Sequence, residues 1–190
     1  MTVNLAIIGI GRIGKIHANS IFTNPNARLV GFFDENNSEI KNFSEKYNSD
    51  FLDIKTIEND HNIDAVVICS PTDTHIDLIK KFSNSGKAIF CEKPIDLDVN
   101  KTIECIDFLN KNKSQFMIGF NRRFDIHFKA LKQHILEGKI GNIETINIIS
   151  RAPEPPTKDY ISRSGGIFKD MTIHDFDMAI FLLGELPNRV

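Results

Sequence analysis

Runs of consecutive apolar residues alternate along the chain with stretches whose apolar positions recur every three or four residues. Val3–Ile8 is a β-rich apolar run ending at a glycine cluster, and helical spacing follows to Phe22, where Asn24-Pro25 stops it. A second strand is predicted over Arg28–Phe33, ending on Asp34. The next helix carries Ile40, Phe43 and Tyr47 on one side, with Asn36 or Asn37 as its cap. Phe51–Asp53 reads as a short strand and Ile54–His61 as a short helix. Ala65–Cys69 is apolar at every position, the pattern of a parallel strand covered on both faces. A helix over Asp73–Asn84, a strand over Lys87–Cys91, a helix over Asp98–Asn110 and a strand over Gln115–Phe120 complete the series. Strands alternating with helices at this spacing form βαβ units, so residues 1–120 are expected to make a Rossmann-type, doubly wound parallel α/β sheet.

Residues 121–190 differ in kind. A helix is predicted over Asp125–Glu137, a turn between Gly138 and Gly141, and an isoleucine-rich strand over Asn142–Ser150. Pro153, Pro155 and Pro156 mark Arg151–Ser164 as irregular. One strand and two helices are the start of an incomplete α+β substrate domain. Its last helix, predicted over Gly165–Gly184, is apolar around most of its girth but carries Asp170, His174 and Asp177 at i, i+4 and i+7. Such a polar line is a solvated face, a buried polar network, or the wall of a cleft in which a proton is moved. The cleft is the expectation taken here.

Composition narrows the partners. A net charge of −2 gives no general reason to expect nucleic acid or an anionic membrane surface. No segment approaches the ~20 apolar residues of a membrane span, and Leu5–Ile10 is too short for the core of a signal peptide. Cys69, Cys91 and Cys105 show neither CxxC nor metal-ligand spacing. Their odd number reads as reduced thiols in a cytoplasmic protein.

The glycine cluster Gly9-Ile10-Gly11-Arg12-Ile13-Gly14 follows a strand and opens a helix, and Asp34 stands twenty residues beyond Gly14. Together these form a dinucleotide fingerprint; the plainer reading is a glycine-rich turn with no ligand. Gly9 permits the tight turn, Gly11 lets backbone approach a pyrophosphate, and Gly14 lets helix and strand pack closely. Amides near Arg12 and Ile13 lie at a helix N-terminus, which favours anions. Asp34 can accept from ribose hydroxyls but repels a 2′-phosphate, and no arginine follows it, so NAD is expected over NADP. Ser70-Pro71-Thr72-Asp73-Thr74-His75 and Glu92-Lys93-Pro94 stand at the C-terminal ends of two strands, where open α/β sheets bind ligands. Ser70, His75 and Glu92 are on that ground assigned to the cofactor. The plainer readings are a first-turn histidine for His75 and a solvated turn lysine for Lys93.

These motifs, with GFNRRFD at Gly119–Asp125 and SGGIFKDMTIHDFDM at Ser164–Met178, resemble the Gfo/Idh/MocA family of oxidoreductases over the whole chain. The resemblance implies NAD-dependent oxidation of a ring secondary alcohol of myo-inositol or a related polyol. A sugar dehydrogenase of the same family and a non-catalytic NAD-binding remnant are the alternatives. It implies Lys93, Asp170 and His174 as the catalytic set, Arg122 and Asp177 on substrate hydroxyls, and a cis Lys93–Pro94 bond. Histidine suits the base because its unperturbed pKa of ~6.5 lies near working pH. The stripe could in principle ligate zinc, but no third strong ligand at suitable spacing is evident, so no metal is expected. The family often has an aspartate where Ala152 stands here, and its members continue into a larger antiparallel sheet that builds a homo-oligomer.

Overall fold

The computed structural model describes residues 2–152 and 154–189. The chain divides into two compact units, Met1–Gly119 and Phe120–Val190.

The first unit is built on six parallel strands: β1 (Val3–Ile8), β2 (Ala27–Phe33), β3 (Asp50–Phe51), β4 (Ala65–Ile68), β5 (Ala88–Cys91) and β6 (Phe116–Ile118), in the spatial order β3-β2-β1-β4-β5-β6. The order reverses at β1, so the crevice at the carboxyl ends of β1 and β4 is the topological switch point where such sheets take ligands. Between the strands run α1 (Arg12–Phe22), α2 (Ile40–Tyr47), α3 (Ile54–Asn59), α4 (His75–Asn84) and α5 (Val99–Lys111). Two apolar clusters cover the two sheet faces. Ile7, Phe32 and Val67 pack with Ala18 and Ile21 of α1 and with Phe43 and Tyr47 of α2. Ile8, Val66, Ile68 and Cys91 pack with Ile79 and Phe82 of α4 and with Cys105 and Leu109 of α5. β4 is buried on both sides because alternate residues feed opposite clusters, which is why its sequence is continuously apolar. Asn36 accepts from the Ser38 amide at 3.1 Å; the side chain of Asn37, the other cap candidate, lies outside the described residues, as does Pro153.

The second unit holds α6 (Ile126–Leu136), α7 (Lys158–Arg163) and α8 (Ile173–Leu183). Asp125 caps α6, accepting from the His127 amide at 2.8 Å. Three expectations change here. Residues 142–150 form no strand: a β-rich segment becomes one only by pairing, and this unit offers no second strand among its described residues. The proline-rich stretch expected to be irregular contains α7, capped by Thr157, whose hydroxyl accepts from the Tyr160 amide. The helix expected over Gly165–Gly184 is not uniform: Phe168–Thr172 winds as a π-helical turn before α8 begins.

Candidate active site

In the first unit the glycine turn is held from both sides. Gly9 has φ +90°, and a Cβ there would lie 2.7 Å from the Ser70 nitrogen. A Cβ on Gly14 would lie 2.0 Å from the Gly9 carbonyl oxygen, so glycine at 14 is what lets α1 begin so close to β1. Gly11 is different: a Cβ there would meet nothing within 4 Å. Its bareness serves no packing need of the protein itself and leaves room for a group approaching the backbone. Gly11 also N-caps α1 without a side-chain hydrogen bond, and the first turn, beginning Arg12-Ile13, carries no acidic residue. The start of α1 is therefore a cradle for an anion.

Asp34 closes the turn. Its Oδ2 accepts from the Ile10 amide at 2.7 Å and its Oδ1 from the Asn36 amide at 2.7 Å. The fingerprint acid thus clasps the glycine loop as well as marking the end of β2. A carboxylate has about four lone-pair sites, so hydroxyl donors can still be accepted beside these two bonds.

The strand-end residues divide. Ser70 Oγ lies 2.6 Å from Thr74 Oγ1 and is half-buried. His75 is 1 % exposed, with Nδ1 2.8 Å from the Pro94 carbonyl oxygen and Nε2 2.9 Å from that of Ser70. Both ring nitrogens lie within hydrogen-bond distance of carbonyl oxygens, and the side chain bridges the two strand-end turns. Glu92 is likewise turned inward, with Oε1 2.7 Å from His17 Nε2 and Oε2 accepting from the Lys93 amide at 3.3 Å. It thereby bridges α1 and the Lys93 peptide. The Lys93–Pro94 bond is cis, and Lys93 is half-buried.

In the second unit the polar line of the last helix separates into individual roles. Asp170, in the π turn, accepts from the Tyr160 hydroxyl at 2.7 Å. His174 opens α8 with its ring 6.2 Å from that of Phe120, edge to face, and its Nδ1 shielded from solvent. Asp177 is 7 % exposed and is gripped by Arg123, which donates from Nε at 2.8 Å and from Nη2 at 2.6 Å. Arg122 pairs with Asp175, whose carboxylate also accepts from Ser150 Oγ at 2.5 Å. Arg122 and Asp177, both expected on substrate hydroxyls, each form an ion pair inside the unit. Asp177 in particular faces Arg123.

The charge states follow from these bonds. Burial works to raise the Asp175 pKa, but hydrogen bonds from Ser150 and Arg122 outweigh it and hold the group below the ordinary carboxylate value. The hydrogen bond with Asp177 raises Arg123, against a smaller effect of burial. Arg123, Asp175, Ser150 and Tyr160 were not singled out from the sequence. Paired arginines in GFNRRFD and paired acids two apart in HDFD carried the signal for the first two; nothing local pointed to Ser150 or Tyr160.

Comparison with known proteins bears on both units. Residues 3–120 match the model described as oxidoreductase family, NAD-binding Rossmann fold, and residues 128–190 match the GFO/IDH/MocA C-terminal domain. The chain is 52 % identical over 187 residues to inositol 2-dehydrogenase of Rhizobium meliloti, covering 98 % of this chain and 57 % of that protein. A myo-inositol dehydrogenase structure from Corynebacterium glutamicum superposes with a TM-score of 0.90 at 43 % identity, covering 96 % of this chain and 55 % of that one. The scyllo-inositol dehydrogenase of Lactobacillus casei, solved with NAD(H) and scyllo-inositol, superposes with a TM-score of 0.81 at 32 % identity, covering 97 % and 57 %. The chain therefore spans little more than half the length of these relatives. Among the described residues, no helix is long and apolar enough to cross a membrane, and no cluster of three or more His, Cys, Asp or Glu residues could hold a metal ion.

Proposed function

Because the chain belongs to the Gfo/Idh/MocA family of oxidoreductases, we propose that it serves the NAD-dependent oxidation of a ring secondary alcohol of an inositol or a closely related polyol. The observation that carries the nucleotide half of this reading is the glycine turn: Asp34 clasps the Ile10 amide, while Gly11 faces open space at the start of α1. Gly9, Gly11, Gly14 and the amides of Arg12 and Ile13 would hold the pyrophosphate, and Asp34 the adenosine ribose. The carboxylate at position 34 favours NAD over its 2′-phosphorylated counterpart by repulsion. Bound NAD supplies the acceptor for the hydride that leaves the alcohol carbon.

The remaining roles fall to side chains. His174 takes the hydroxyl proton as general base, and Asp170 orients the imidazole and offsets the charge it gains. Tyr160, which donates to Asp170, keeps that carboxylate from swinging freely. Lys93 hydrogen-bonds the reacting oxygen and favours its alkoxide character as the proton leaves. The inositol substrate is supported by the likeness to inositol dehydrogenases from several bacteria. Cytoplasmic location and homo-oligomerisation belong to the same proposal.

The test is oxidation of myo-inositol, scyllo-inositol and an aldose by the purified chain with NAD or NADP, followed through the absorbance of the reduced nicotinamide. An inositol with NAD is expected to react fastest. Reduced-cofactor binding without turnover of any polyol would instead favour a non-catalytic nucleotide-binding module.

A further inference from the structure

We propose that His17 is a positioning residue for the Lys93 turn, acting through Glu92; the inference rests on the assignment of Lys93 to the reacting oxygen. His17 lies on α1. Its Nε2 is 2.7 Å from Glu92 Oε1, with both side chains largely withdrawn from solvent at 24 % and 16 % exposure. The ring is fixed by a second contact, edge-on to Phe90 with centroids 4.9 Å apart. Phe90 and Glu92 are two residues apart along an extended segment, so their side chains share one face and a single imidazole can engage both.

Glu92 is in turn held on every side. Its amide donates to the Ile68 carbonyl at 2.9 Å, which extends the β4–β5 ladder by one residue. Its second carboxylate oxygen accepts from the Lys93 amide. Beneath it lies Gly119, where a Cβ would stand 3.1 Å from the Glu92 carboxyl carbon, so glycine at 119 makes room for the carboxylate. The carboxylate is thus a bridge between an imidazole on α1 and the peptide that carries Lys93. A solvated carboxylate would sample several rotamers and leave that amide to water. Held by His17, it fixes the peptide plane from which the Lys93 side chain departs.

The experiment compares His17→Leu, which removes the donor, with His17→Gln, whose side-chain amide can donate from a similar position, and with Lys93→Ala. The first readout needs no cofactor: the Lys93 amide resonance in ¹⁵N-lysine-labelled protein, identified by its loss in Lys93→Arg. His17→Leu is expected to move that resonance and to lower kcat about tenfold, the scale of one charge-assisted hydrogen bond, with KM for NAD little changed. His17→Gln is expected to recover both. An unmoved resonance and normal kcat in His17→Leu, beside an inactive Lys93→Ala, would overturn the inference alone. So would a His17→Gln variant as impaired as His17→Leu. Full turnover in Lys93→Ala would overturn the underlying assignment and the inference with it.

Discussion

Arg123 holds both carboxylate oxygens of Asp177, donating from Nε and Nη2, and Asp177 is among the most buried charged groups of the described residues. Removing the guanidinium leaves that carboxylate inside the second unit without its counter-charge. A fully buried pair broken this way costs about 3–5 kcal/mol, but Arg123 is 39 % exposed and water screens the pair. Arg123→Ala is therefore expected to destabilise the second unit by about 1–3 kcal/mol. Urea denaturation followed by circular dichroism checks it. Arg123→Lys is expected to recover little, because an ammonium cannot make the paired geometry.

The two glycines flanking Arg12-Ile13 are expected to fail in opposite ways. Gly14→Ala drives a methyl into the Gly9 carbonyl and should lower stability by about 1–3 kcal/mol or prevent folding. Gly11→Ala meets no protein atom at a backbone conformation alanine adopts readily, so its melting temperature should stay near that of the parent. Its affinity for reduced nicotinamide cofactor should nevertheless fall. Thermal melts paired with cofactor titrations separate the two outcomes, and equal loss of stability in both variants would remove the argument for open space at Gly11.

Asp34→Ala tests the clasp. Losing the acceptor for the Ile10 amide loosens the glycine loop for either cofactor. NAD affinity should therefore drop about tenfold or more, equivalent to about 1.4 kcal/mol, with no compensating gain for NADP. A clean switch to NADP would show that position 34 only reads the ribose.

Asp175 makes stability depend on pH at the acid end. Its pKa is lowered in the folded state from the ordinary 3.8. Its contribution is accordingly complete above about pH 4 and is lost as the pH falls through the lower folded value. Asp175→Asn should be less stable than the parent at about pH 7, and the gap should narrow at about pH 3. Urea titrations at the two pH values measure this directly.

Burial pushes the thiols of Cys69, Cys91 and Cys105 above their usual range, with Glu92 adding to the effect at Cys69. The thiolate is the reactive form. All three cysteines should alkylate slowly in the folded protein near pH 8, and rapidly once denatured.

The first unit was legible because its cues are local. Continuous apolar runs, helical periods and the glycine fingerprint each depend on neighbours in sequence, and the six strands lie where those cues put them or within a few residues. Residues 142–150 misled for the complementary reason: their β propensity is real, but a strand is a property of two segments. The site was legible as motifs and less so as contacts. Glu92 and His75 stand at the expected strand ends, yet their partners, His17 and the Pro94 carbonyl, are distant in sequence and carry no spacing signal. Arg122 and Asp177 were singled out from their motifs, but their ion-pair partners Asp175 and Arg123 were not.

The wide turn at Phe168–Thr172 sets a phase as well as a shape. Each residue of an α-helix advances the side-chain bearing by about 100°. Deleting one residue from the turn would let the backbone relax to unbroken α winding and rotate everything before it against everything after it. His174, Asp175 and Asp177 would keep their mutual bearings, and with them the arginine pairs. Asp170, and with it the Tyr160 hydroxyl that donates to it, would change bearing relative to them. The bearing of the Asp170–Tyr160 pair relative to the arginine pairs is therefore written into the number of residues in the turn, and a substitution scan that preserves length would never reveal it.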